Sequence, residues 1–128
     1  MDDKISSTKN NYNIFDTTDI FGKRVFLEKE QFDNHIVVGH PEMRDNELAI
    51  QETIENPQLV VESKQNSNRL LYIGKSEMST YPMVYIKTVV DHSSKEYGFV
   101  ITGLFQKKVN LEKEGTVIYE KTTDTDSL

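Results

Sequence analysis

The strongest constraint on this chain is a run of eight residues, Met83 to Val90, of which six are Val, Ile, Tyr or Thr. Such side chains lose rotamer freedom in a helix and pack well on a pleated surface, so the run predicts a strand. Tyr97 to Phe105 is apolar on both faces and is expected to be central in a sheet. The connection between them, with Ser93 and Ser94, suits a hairpin loop. Leu59-Val60-Val61, Arg69 to Ile73 and an edge strand at Val117-Ile118-Tyr119 extend the pattern. Ahead of the strands, Glu28 to Val38 reads as a helix with Phe32 and Ile36 at i,i+4 spacing, closed by Gly39 and Pro41. Asp45 to Asn56 reads as a second, carrying Ile50 and Ile54 and stopped by Pro57. Gly22 to Leu27 reads as a turn and a short strand. Helices followed by an antiparallel meander make an α+β layout.

The length, 128 residues, suits one domain with trimmed tails. Residues 1–19 are expected to be a flexible polar segment, 20–110 the domain, and 111–128 an acidic tail with a short edge strand. Tyr12, Ile14 and Phe15 interrupt the polar segment and suit docking on the domain or on a partner. Of the net charge of −6, the first segment holds −2 and the tail −3, leaving −1 for the domain. That excludes tight, charge-driven, non-specific nucleic-acid binding but not RNA as such. There is no Cys, so disulfides, thiolate nucleophiles and Cys-ligated zinc are excluded. No apolar run is long enough to span a membrane and the first residues are acidic, so no membrane association is expected and a cytoplasmic location is.

The chemistry must then rest on His, Lys, carboxylates and hydroxyls. The six Gly form no phosphate-cradling loop, and the three His have no metal-ligand spacing, so neither a metal nor another cofactor is expected. His35, His40 and Glu42 cluster at the end of the first helix. The Gly39 break lets His40 swing back toward the cleft that His35 faces. The same residues also read as a packed helix position followed by a capping turn. Lys87 sits inside the β-favouring run, where a buried ammonium needs an anion or water. It otherwise lies on an exposed sheet face with Met83 and Tyr85. Thr102 occupies the last long strand, and Arg69 and Tyr72 a neighbouring one.

Phe32-Asp33-Asn34-His35-Ile36 with Gly39-His40-Pro41-Glu42-Met43 resembles the "HI…RHPEM" signature of phage- and mobile-element-associated nucleases of the barnase/EndoU/colicin/RelE-like (BECR) superfamily. Ile54-Glu55-Asn56-Pro57, Arg69-Leu70-Leu71-Tyr72, Val84-Tyr85-Ile86-Lys87 and Phe99-Val100-Ile101-Thr102 match further segments in order, over about residues 22–108. Gly39 stands where that family has Arg, and Gly103-Leu104 where it has Ala-Tyr. The resemblance implies N-terminal helices packed on a four-stranded antiparallel sheet, with a metal-independent ribonuclease site in the cleft between them. RNA is the implied substrate, and an immunity or antitoxin protein the implied partner.

Metal-free RNA cleavage needs a base for the 2′-OH proton, cations for the phosphorane and an acid for the 5′-oxygen. On this reading His35 is base or acid, with His40 or Glu42 its partner. Lys87 and Arg69, with Lys107 near them, contact phosphate; Thr102 hydrogen-bonds it, and Tyr72 contacts substrate. The competing reading is a catalytically weak or inactive domain that holds RNA or a protein partner.

Overall fold

The computed structural model describes residues 11–122. Strands β1 (Asn13–Thr18) and β2 (Arg24–Glu28) form an N-terminal hairpin. Its turn is set by Asp19, whose carboxylate accepts from the Phe21 and Lys23 amides at 2.9 and 2.7 Å, and by Gly22 at φ +85°. Helix α1 follows over 29–39; its middle, Phe32–Ile36, is a π turn. A 3₁₀ turn, Pro41–Met43, leads to α2, Glu47–Glu55. Then come β3 (Leu59–Ser63), β4 (Arg69–Gly74), β5 (Tyr85–Asp91) and β6 (Gly98–Gln106). The one-turn helix α3 (Leu111–Glu114) precedes β7 (Gly115–Glu120). Among the described residues, no helix is long and apolar enough to cross a membrane.

The seven strands form one sheet in the order β1-β2-β6-β5-β4-β3-β7, antiparallel except where β2 runs parallel to β6. The expected fold, N-terminal helices on a four-stranded antiparallel sheet, is therefore incorrect. The chain begins its described part with strands, and the sheet is mixed and seven-stranded. The difference has two sources. Phe15 is buried in the core, so 13–18 is a paired edge strand rather than a loose flank. At the other end β7 pairs along the whole of β3. The sheet thus runs past the 20–110 boundaries on both sides. The flexibility expected of the two ends concerns, at 1–10 and 123–128, residues outside those described.

Both faces of the sheet are covered, unequally. On one, α1 and α2 bury Phe32, Ile36, Ala49, Ile50 and Ile54 against Val25, Leu27, Ile86, Val90 and Val100. Burying a side chain of this size stabilises by roughly 1.5–3 kcal/mol, so this layer dominates the fold. The His40–Met43 segment belongs to it: Met43 is fully buried and packs over Gly103, where a Cβ would meet Ile50 at 3.2 Å. Asn46, also fully buried, ties the segment down. Its amide donates to the Glu42 and Arg44 carbonyls and to Thr80 Oγ1, and its oxygen accepts from the Thr80 amide. On the other face a smaller cluster, Val61, Leu71 and Ile73, packs with Tyr85, Val89, Val109 and Val117 beneath the 107–114 connection.

Candidate functional site

Strand periodicity separates the expected site residues. In β5, Ile86, Thr88 and Val90 are buried toward α1 and α2; Tyr85, Lys87, Val89 and Asp91 alternate onto the opposite face. Thr88 meets Thr53 of α2 at 2.7 Å, which fixes that assignment. Thr102 is paired with Val89 past an irregularity in β6 and joins the face opposite α1 and α2, as does Arg69 of β4.

There Arg69, Lys87 and Thr102 line one cavity of about 220 Å³ with Asn66, Lys113 and Glu114. The Lys87 ammonium donates to Glu114 Oε1 at 2.9 Å; the two side chains are only 18% and 12% exposed. The Gln106 amide donates to Glu114 Oε2 at 2.7 Å, so both carboxylate oxygens are engaged. An ion pair this enclosed has lost most of its hydration, and removing either partner strands the other charge. Arg69 Nε lies 3.6 Å from Asp91 Oδ2, yet it is buried with no hydrogen bond among the described residues. The Asp91 carboxyl is held below the usual carboxylate range, first by hydrogen bonds from Ser93 and then by the Arg69 charge. The Ser93 amide contributes one of them, at 2.8 Å.

The remaining expected residues stand elsewhere. His35 is exposed on α1, whose buried residues Phe32 and Ile36 pack on the opposite side of the sheet. His40 Nδ1 approaches Glu42 Oε2 at 3.6 Å at the surface of the 3₁₀ turn. The turn's geometry is accounted for by Met43 and Asn46. Lys107 is exposed and does not line the cavity. Tyr72 is fully buried on the helix side. Its hydroxyl donates to Asp19 Oδ2 at 2.6 Å, and His92 Nε2 lies 2.9 Å from the Tyr72 hydroxyl oxygen. Burial first, and the Asp19 carboxylate second, push the Tyr72 hydroxyl's pKa far up. Tyr72 is thus a core staple between the N-terminal hairpin and the sheet.

Glu114 and Lys113 lie in the segment that reads as an acidic tail, and Asp91 in one that reads as the start of a hairpin loop. One signal called for a partner: a lysine inside an apolar strand needs an anion or water. The sequence distance of 27 residues between the partners hid which anion it would be. Among the described residues, no group of three or more His, Cys, Asp or Glu side chains could hold a metal ion. In comparisons with protein families, curated proteins and solved structures, none matches this chain.

Proposed function

We propose that the face of the sheet opposite α1 and α2 cleaves single-stranded RNA without a metal, and that the cavity around Lys87 and Glu114 is where it does so. One observation carries the reading: a carboxylate and an ammonium at 2.9 Å beside a guanidinium and a hydroxyl, all lining one small cavity. RNA supplies its own nucleophile, so the protein needs only proton transfer and charge stabilisation. Glu114 accepts the 2′-OH proton as that oxygen attacks phosphorus. Lys87, Arg69 and Lys113 offset the charge growing on the phosphorane, and Thr102 donates to a phosphate oxygen. The P–O5′ bond breaks, the 5′-oxygen takes a proton from the Lys87 ammonium, and a 2′,3′-cyclic phosphate is left. The substrate is cellular RNA, the setting is cytoplasmic, and the activity calls for an immunity or antitoxin protein in the same cell.

The second reading, a domain that holds RNA or a protein partner without cutting, is favoured by the pairing already present: Lys87 is engaged by Glu114 and Arg69 faces Asp91. Incubation with a mixed-sequence oligoribonucleotide in excess chelator separates the two. Wild type is expected to release a 2′,3′-cyclic phosphate, and Lys87→Ala to slow release by about 100-fold or more. A substrate with 2′-deoxyribose throughout should survive. Chelator-resistant binding with no cleavage establishes the holding domain instead.

A further inference from the structure

We propose that Phe26, Tyr97 and Phe99 form a stacking platform for a nucleobase of the RNA strand, next to the cavity that holds its phosphate; this rests on the RNA reading above. The three rings are a built surface. Phe26 lies 4.9 Å from Tyr97 with the planes tilted by 43°, and 5.5 Å from Phe99 at 75°. They line a hollow of about 460 Å³, whose polar wall includes Glu28, Asp91 and Ser94. Tyr97 is 37% exposed, so the platform is open to solvent at that ring.

Sheet register connects the two places. Arg69 pairs with Asp91, Asp91 with Phe99, and Phe99 with Phe26, a single row across four strands. Residues paired this way project to the same face. Neighbouring strands lie about 4.8 Å apart, so Arg69 and Phe99 are separated by about 10 Å at the backbone. That is comparable with one nucleotide, measured from its phosphate to the far edge of its base. A phosphate held by Arg69 therefore places an adjoining base over Phe99 and Phe26. Asp91 stands between, its carboxylate kept ionised by Ser93, as an acceptor for N–H groups on the base edge. Such a platform demands an unpaired base, because bases inside a duplex are already stacked on each other.

The test is fluorescence anisotropy with a mixed-sequence hexaribonucleotide, 2′-O-methylated throughout so that it cannot be cut by its own 2′-oxygen. Two variants are used. Tyr97→Ala alters a surface ring, and Phe26→Leu keeps apolar volume while removing the aromatic face. Each is expected to bind the hexamer about tenfold or more weakly than wild type. A hexamer of abasic sugar-phosphates should bind all three proteins alike. Variants that bind the methylated hexamer within twofold of wild type overturn the platform, as does a wild type that does not bind it. Unchanged RNA affinity is also the result expected of an aromatic surface that serves only a protein contact. The readout is independent of cleavage: aromatic-dependent binding by a protein that cuts no RNA keeps the platform and removes the nuclease reading, and cleavage with aromatic-independent binding does the reverse.

Discussion

At the scale of single residues, burial decides what each polar group is for. Lys87 and His92 are both enclosed, with opposite consequences. Lys87 keeps a carboxylate at 2.9 Å, so its charge is matched where it stands. His92 has one ring nitrogen against Tyr72 and the other, Nδ1, buried with no hydrogen bond among the described residues. Its ring fits only because residue 98 is Gly: a Cβ there would lie 2.6 Å from the imidazole. Since the Tyr72 hydroxyl proton goes to Asp19, the neutral ring donates from Nε2 and leaves Nδ1 bare. Burial, then the Lys23 charge, hold the His92 pKa below its ordinary value of 6.5, against smaller opposing contributions from Asp19 and Asp91. As pH falls through about 6.5 the unfolded chain takes up this proton while the folded chain does not, so stability falls with acid between the two pKa values. Above 6.5 the contribution is fully present. Thermal melts from pH 8 to pH 5 should show a smaller acid-side decline for His92→Gln than for wild type; equal slopes would remove His92 as the cause. None of this was readable in sequence, where His92 was one histidine in a loop. Lys87 was readable as a charge needing a partner, and Arg69 and Thr102 as plausible neighbours.

At the scale of elements, local patterns located most helices and strands, and pairing decided the rest. The i,i+4 apolar pairs of α1 and α2, and the β-branched run of β5, lie where their spacing put them. Strand β1 escaped because Asn13, Asp16, Thr17 and Thr18 give it an edge strand's composition, with Phe15 as its buried anchor. Alternation within β5 also has a functional consequence. It sends Lys87 to the face opposite α1, so one cleft cannot hold both Lys87 and a histidine from that helix. Glu114 in turn depends on one glycine. Gly115 has φ +145°, and a Cβ there would lie 1.9 Å from the Glu62 carbonyl oxygen. The Lys64 amide donates to the Glu114 carbonyl at 2.9 Å just beside it. Gly115→Ala must push α3 and the start of β7 off β3. It is expected to cost about 1–3 kcal/mol in denaturant unfolding and to lower RNA cleavage by more than tenfold at a temperature where the protein is folded. Wild-type stability and activity in this variant would mean that α3 is not what positions Glu114.

At the scale of the whole molecule, the sheet acts as a partition. Its helix side holds the larger apolar cluster and the Asp19–Tyr72–His92 staple. Its other side carries the polar cavity and, further along the same rows, the aromatic hollow. Composition foretold a near-neutral domain, for which the proposed RNA contacts are few and local rather than spread over a basic surface. It could not foretell which face would carry them, because that depends on long-range register between β4, β5, β6 and the segment before β7. The decisive comparison is single-turnover cleavage of RNA in chelator by Glu114→Gln and by a His35→Ala/His40→Ala double variant. General-base removal costs about 100-fold or more, so Glu114→Gln should fall by that factor, while the double variant stays within about threefold of wild type. The opposite pattern, a silent Glu114→Gln and a crippled histidine variant, would contradict the assignment of catalysis to the face opposite α1 and α2.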